Sequence, residues 1–292
     1  MAVPQSGGQA IIAFISVADG HGSHEYLRSQ IGSRKAVDAA YQVCWDYLMR
    51  LAGPDSRRGP GDLRLHHELA ERIPSEIDKK WRADVSEHLR ANPLTDAEHQ
   101  VFDELPADVQ RRMSHLVSVY GTTLLAVMTT PEFIFYAQNG DGDILVVEHD
   151  GRIRRALPGD ARLIGNETTS MANENAWRDF RIALDPVGSK PPLMIMAATD
   201  GYSNSFGNEK DFLQVPADLL ASFRAHGEEW TLERLPGWLE ETSAGGSTDD
   251  ISVAIIWRDA GLARDAAMDE ALVRDDTVVT ESPTGEASQT EG

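Results

Sequence analysis

The feature that most constrains this chain is where its aspartates fall relative to its apolar runs. Asp19 directly follows the run Ile11 to Ala18, Asp200 directly follows Leu193 to Thr199, and Asp249 stands just ahead of Ile251 to Trp257. Each run reads as a buried strand. If the last strand is antiparallel to the other two, three carboxylates converge on one rim of a sheet, held by rigid elements. Asp141 joins them from the tight turn Asn139-Gly140-Asp141-Gly142-Asp143.

Carboxylates crowded in this way repel one another, and without a counter-charge some must take up protons at neutral pH. Divalent cations remove that conflict. An all-oxygen set suits magnesium or manganese, whereas zinc selects histidine or cysteine. The glycines beside the acids, Gly20, Gly22, Gly140, Gly142 and Gly201, permit tight turns and let a backbone carbonyl approach an ion. Each piece has a plainer reading, since Asp-Gly is an ordinary turn dipeptide and His21 suits a turn. The stretch from Asn139 to Asp150 is similar to a calcium-binding loop, but Ile144 stands where that loop needs glycine and Asp150 where it needs glutamate.

Charge and cysteine usage narrow the function classes. A formal net charge of -20 opposes a duplex-binding surface, because nucleic acid affinity rests on Lys and Arg. The single cysteine, Cys44, excludes a disulfide framework and a cysteine-rich zinc site, and fits a reducing, cytoplasmic setting. The run from Ile11 to Ala18 is too short to span a bilayer, and no positive region precedes it, so neither a membrane span nor a signal peptide is expected there.

Ser29 to Arg50 has apolar spacing that predicts a helix packed on one side. Pro54 to Gly61 breaks it. Pro74 to His115 reads as helices interrupted at Pro93 and Pro106. Short strands follow at Thr122 to Thr129, Glu132 to Gln138, Ile144 to Glu148 and Arg152 to Leu157, the last two joined by an Asp150-Gly151 hairpin turn. From Asp259 onward acidic and small residues dominate. That composition predicts residues 1–258 as a catalytic domain and residues 259–292 as an acidic, disordered tail.

Taken in order, Asp19-Gly20-His21-Gly22-Ser23, Gly121-Thr122-Thr123, Gly140-Asp141-Gly142, Thr199-Asp200-Gly201 and Gly246-Ser247-Thr248-Asp249-Asp250-Ile251 resemble the successive motifs of the protein phosphatase 2C family, the metal-dependent protein phosphatases. Order, spacing and strand context agree over most of the chain. Gly165-Asn166-Glu167-Thr168-Thr169 is similar to a feature of a bacterial branch of that family. The resemblance implies an α+β fold, a four-layer α-β-β-α sandwich with two antiparallel sheets flanked by helices. It also implies that Asp19 bridges two cations, that the Gly20 carbonyl binds one, and that Asp200 and Asp249 complete the other. Asp141, with Asp200, matches the place of a weaker third ion.

The ions so implied are Mn2+ or Mg2+, and the reaction is hydrolysis of phosphoserine or phosphothreonine in proteins by a metal-activated water. Phosphorylated protein substrates, targets of a Ser/Thr kinase, are the partners this implies, in cytoplasmic signalling. His21 is the candidate general acid, its protonated form favoured by nearby carboxylates. There is one departure. Family members usually carry a further strand ahead of the first motif, with an arginine for substrate phosphate and acidic residues that hold metal-bound water, yet Met1 to Ala18 contains no Arg, Asp or Glu. Arg28, Arg34 or Lys35 on the following helix are the candidate replacements. Two other readings stay open: a pseudophosphatase that recognises phosphorylated partners without turnover, and a phosphatase of small molecules.

Overall fold

The computed structural model describes residues 12–51, 65, 67–113, 116–159 and 168–258. The expected break from Pro54 to Gly61, residues 165–167 of the bacterial-branch stretch and the tail from Asp259 lie outside the described residues.

In chain order the strands are β1 (Ala13–Val17), β2 (Leu124–Thr129), β3 (Phe133–Asn139), β4 (Asp143–Val147), β5 (Ile153–Arg155), β6 (Arg181–Pro186), β7 (Met194–Ala198) and β8 (Val253–Trp257). They form two antiparallel sheets, ordered β1-β2-β3-β6 and β5-β4-β7-β8. The central strands β2, β3, β4 and β7 are buried along their whole length. They read as continuous apolar runs because neither face meets water. Period two then sorts their side chains. Leu125, Val127, Ile134, Tyr136, Ile144, Val146 and Ile195 fill the space between the sheets, while Leu124, Ala126, Met128, Phe133 and Phe135 point outward into a layer of helices.

The helices are α1 (Ser29–Leu51), α2 (Ile73–Ala91), α3 (Asp96–Glu104), α4 (Ala107–Arg112), α5 (Asp200–Ser203), α6 (Glu209–His226) and α7 (Glu228–Gly245). α1 and α2 cover the first sheet through Ala36, Ala40, Cys44 and Tyr47 on one helix and Ile77, Trp81 and Val85 on the other. The Trp81 indole N–H donates to the Gly32 carbonyl at 3.0 Å, joining the two. α6 covers the second sheet, where Phe223 stacks on Trp257 at 4.9 Å, and α7 packs beside it. The four-layer α-β-β-α sandwich is therefore present. Helix breaks fall where proline predicts them: α2 ends before Pro93 and α3 before Pro106. Thr95 then opens α3 with a capping box closed by Glu98.

Strand pairing is what gathers the site. In register, Asp143 of β4 faces Ala198 of β7, and Ala198 faces Val253 of β8. The start of β4, the end of β7 and the start of β8 therefore share one end of the second sheet. Leu124 faces Asn139 in the first sheet, and Gly20 bridges Thr122, which brings the end of β1 to the start of β2.

Candidate metal centre

Asp19, Asp200 and Asp249 each offer a carboxylate oxygen within 4.8 Å of the other two. Their backbones are fixed by neighbouring hydroxyls. The Asp19 N–H donates to Thr123 Oγ1 at 3.0 Å, and the Asp19 carbonyl accepts from the Thr123 N–H at 2.8 Å and the Thr122 hydroxyl at 2.7 Å. Asp200 opens α5, and Asn204, one turn on, donates from Nδ2 to Asp200 Oδ2 at 3.0 Å. The Asp249 N–H donates to the Ser247 hydroxyl at 3.2 Å, while the Ser243 hydroxyl donates to the Asp249 carbonyl at 2.6 Å. Gly201 admits this loop: a Cβ there would stand 2.6 Å from the Asp250 carbonyl oxygen.

Asp141 stands outside the 4.8 Å group, yet its charge raises the pKa of both Asp19 and Asp200. Its turn is bound on several sides. Gly140 takes φ +110°, and a Cβ there would lie 2.5 Å from the Thr123 side chain, so glycine is required. The Gly140 N–H donates to Thr169 Oγ1 at 2.7 Å, and the Gln138 amide donates to the Gly140 and Gly142 carbonyls at 3.1 and 2.6 Å.

Burial, followed by the charges of Asp200, Asp249 and Asp141, pushes the Asp19 carboxyl up to about 7. Asp200 is raised as well, by burial first and Asp141 next. Among the described residues none of the three forms an ion pair with Lys or Arg. Such a set, all oxygen and without an internal counter-charge, fits divalent cations that prefer oxygen ligands.

Two sequence expectations change here. His21 packs against Tyr26 with ring centres 4.6 Å apart and planes tilted by 59°. Burial lowers its pKa and outweighs the opposing pull of Asp141 and Glu25, so the neighbouring carboxylates do not hold the free imidazole protonated. Arg28 does not replace a phosphate-binding arginine. Its Nε and Nη2 donate to both Glu98 oxygens at 2.7 and 2.8 Å, and its remaining N–H groups reach the Asn92 and Pro93 carbonyls and the Tyr120 hydroxyl. Arg34 is exposed and Lys35 half-buried. Sequence reasoning gives Thr123, Asn204, Ser243 and Ser247 no roles; Thr123 and Ser247 belong to the quoted motifs, and the only signal for Asn204 and Ser243 is proximity to them.

The family model described as protein phosphatase 2C matches residues 3–240. This chain belongs to the protein phosphatase 2C family. No curated protein matches it by sequence. Among solved structures, the phosphatase is similar to the Mycobacterium tuberculosis serine/threonine phosphatase PstP, at 12% identity over 87% of this chain and 93% of that one, with a TM-score of 0.47. It is also similar to the catalytic domain of serine threonine protein phosphatase PstP in complex with two manganese ions, at 14% identity over 87% and 93%, with a TM-score of 0.47. A third is the serine/threonine phosphatase Stp1 from Staphylococcus aureus, at 10% identity over 86% and 85%, with a TM-score of 0.49. Asp249 lies beyond the segment matched by the protein phosphatase 2C model, and the structure brings it beside Asp19 and Asp200. Among the described residues no helix of this phosphatase is long and apolar enough to cross a membrane.

Proposed function

We propose that this phosphatase hydrolyses phosphoserine and phosphothreonine in proteins with two divalent cations, Mn2+ or Mg2+, held by Asp19, the Gly20 carbonyl, Asp200 and Asp249. The observation that carries the reading is the trio of carboxylate oxygens within 4.8 Å of one another without an internal cation, with Asp19 and Asp200 raised in pKa. When bound, such ions supply an activated water and neutralise phosphoryl oxygens. The chain's own part is positioning. Thr122 and Thr123 fix Asp19, and Asn204 orients the Asp200 carboxylate; in this reading Asp141, with Asp200, would hold a third ion.

His21 would donate the proton to the leaving-group oxygen. Burial lowers its pKa in the free protein, and an arriving phosphate dianion adds negative charge that favours the imidazolium. General-acid help is worth roughly 10²–10⁴-fold. A His21→Ala enzyme should therefore lose most activity on alkyl phosphates and little on aryl phosphates with good leaving groups. Equal losses on both would remove this role.

Residues 1–258 form the catalytic domain in this reading, and residues 259–292 an acidic tail, in a cytoplasmic protein that reverses the action of a Ser/Thr kinase in signalling. The deciding experiment is aryl phosphate hydrolysis with Mn2+, with Mg2+ and with chelator, comparing wild type and Asp200→Asn, followed by phosphopeptides against small phosphorylated metabolites. Metal-dependent turnover that the substitution abolishes, with phosphopeptides preferred, is the expected result. One observation favours a binding module without turnover: the Arg28 guanidinium is engaged by Glu98 and so is not free for a substrate phosphate. No hydrolysis under any metal condition, alongside retained phosphopeptide binding, would establish that alternative.

A further inference from the structure

The outer face of α1 carries Tyr41, Trp45 and Met49 at four-residue intervals, exposed at 38%, 37% and 49%. One apolar stripe thus runs along a helix whose other face is already packed on α2 and the first sheet. Tyr41 and Trp45 stack at 6.1 Å, and Tyr41 also meets Phe14 of β1 at 6.0 Å. The stripe therefore overhangs β1, and exposed Ile12 extends it. Among the described residues β1 pairs with β2 alone, leaving its outer edge free. That edge reads Ala13-Phe14-Ile15-Ser16-Val17, with no charge, proline or glycine to deter another strand. Single exposed apolar residues are ordinary, but a contiguous patch against an open strand edge marks an interaction surface.

We propose that this face pairs with a second copy of the chain, β1 against β1, with the two α1 stripes meeting across a two-fold axis. Geometry selects a second copy over a lone peptide strand. α1 lies against both β1 and β2, so its axis runs over the seam between them. With strands about 4.8 Å apart, pairing β1 to its copy sets the two α1 axes roughly 10 Å apart, close to the spacing at which helices pack. Tyr41, Trp45 and Met49 fill that seam. A lone strand would cover the edge and leave Trp45 and Met49 in water. β1 itself carries no charge, and the exposed Arg34 and Asp38 that continue the stripe's face are of opposite sign, so this face adds no net charge to the contact. The contact is self-complementary and closes at two copies.

Sedimentation equilibrium of the full chain should give a particle of twice 32.1 kDa that dissociates on dilution. Added salt should tighten it, because screening weakens the repulsion between two acidic copies. Tyr41→Glu combined with Trp45→Glu should weaken the dimer at least about tenfold, with circular dichroism and aryl phosphate turnover unchanged. Should that double variant fail to fold, Met49→Glu at the most exposed of the three positions makes the same test. A wild type that stays monomeric at every concentration overturns the proposal, as does a dimer that the charged variants leave intact. In a monomer, Trp45 shielded from a soluble quencher would give the stripe to another segment of this chain, and an accessible Trp45 would give it to a foreign strand; either result overturns the second copy.

Discussion

Two clusters of charge flank the loop from Asp19 to Arg28, one around a buried arginine and one running from half-buried Asp19 and Asp200 to exposed Asp249, and they are built on opposite principles. At one end, Arg28 has both Glu98 oxygens, two backbone carbonyls and the Tyr120 hydroxyl around its guanidinium, and the pairing holds Glu98 down at about 2. At the other end, Asp19, Asp200 and Asp249 face one another with no cation among the described residues, and Asp19 is pushed up to about 7. The first cluster satisfies every charge it buries and ties the loop to the start of α3. The second keeps its repulsion, which costs stability in the metal-free chain and suits a site that waits for ions. Charge that a fold leaves uncompensated at strand ends points to function; charge that it compensates points to architecture.

The largest expected effect breaks the compensated side. Arg28→Met leaves Glu98 with only its Thr95 cap contacts and the Asn92 and Pro93 carbonyls without their Arg28 donor, and should destabilise the protein by about 3–5 kcal/mol in urea unfolding. A loss under about 1 kcal/mol would mean that the pair behaves as an ordinary surface ion pair. The uncompensated side should respond in the other direction. Mn2+ at roughly a hundred times its dissociation constant should raise unfolding free energy by about 2.7 kcal/mol. Asp200→Asn should abolish that gain and reduce turnover by more than about 100-fold, the upper range for partners that only orient a ligand. The same substitution should make the metal-free protein more stable, because it removes one of the mutually repelling carboxylates. Lower metal-free stability would show that the aspartates are structural.

Much of this contrast was legible before any coordinates. The aspartates were visible because each stands beside an apolar run, and β7 and β8 align the Asp200 and Asp249 ends by antiparallel register. The expected single rim is corrected, because Asp19 follows β1 of the other sheet and meets them across the sandwich. Helix breaks at Pro93 and Pro106 were equally local. The Arg28–Glu98 pair was not legible, since it joins residues 70 apart in sequence through the turn of α2 into α3. No local pattern distinguishes that arginine from one facing solvent. β6 went unassigned because Arg181-Ile182-Ala183-Leu184-Asp185 is short and carries a charge at each end. α6 and α7 were missed as well; each holds an interior proline, Pro216 or Pro236, which masks helical periodicity. His21 shows a different limit: sequence displays the acidic neighbours, and only coordinates reveal that burial outweighs them.

A smaller effect tests how finely the rim is held. Asn204 donates to Asp200 Oδ2 at 3.0 Å from one turn along α5 and its continuation. Asn204→Ala should weaken Mn2+ binding by about tenfold, the lower end of the range for residues that orient a ligand, or roughly 1.4 kcal/mol. Titration of the variant by calorimetry checks this, and an unchanged affinity would show that the strand ends and α5 hold Asp200 unaided.

The shallowest response should come from pH, where the two clusters differ in sign. Glu98 has a folded pKa of about 2 against an ordinary 4.5, so the stability it contributes is complete above the ordinary value and is lost as pH falls toward 2. Asp19 runs the other way, about 7 folded against 3.8. Its protonation relieves the rim, so the metal-free protein should gain stability as pH falls from about 7 toward 3.8, before the Glu98 limb takes it away. Solvent screening at both half-buried sites keeps the slopes gentle. Unfolding free energies measured in chelator should therefore pass through a maximum in mildly acid solution. With saturating Mn2+ the gain between pH 7 and 4 should vanish or reverse, because protons then compete with the ion for the same oxygens. A metal-free profile that falls steadily from pH 7 downward would mean that Asp19 is already ionised without cost, and the aspartate cluster would lose its claim to be different from the Arg28–Glu98 cluster.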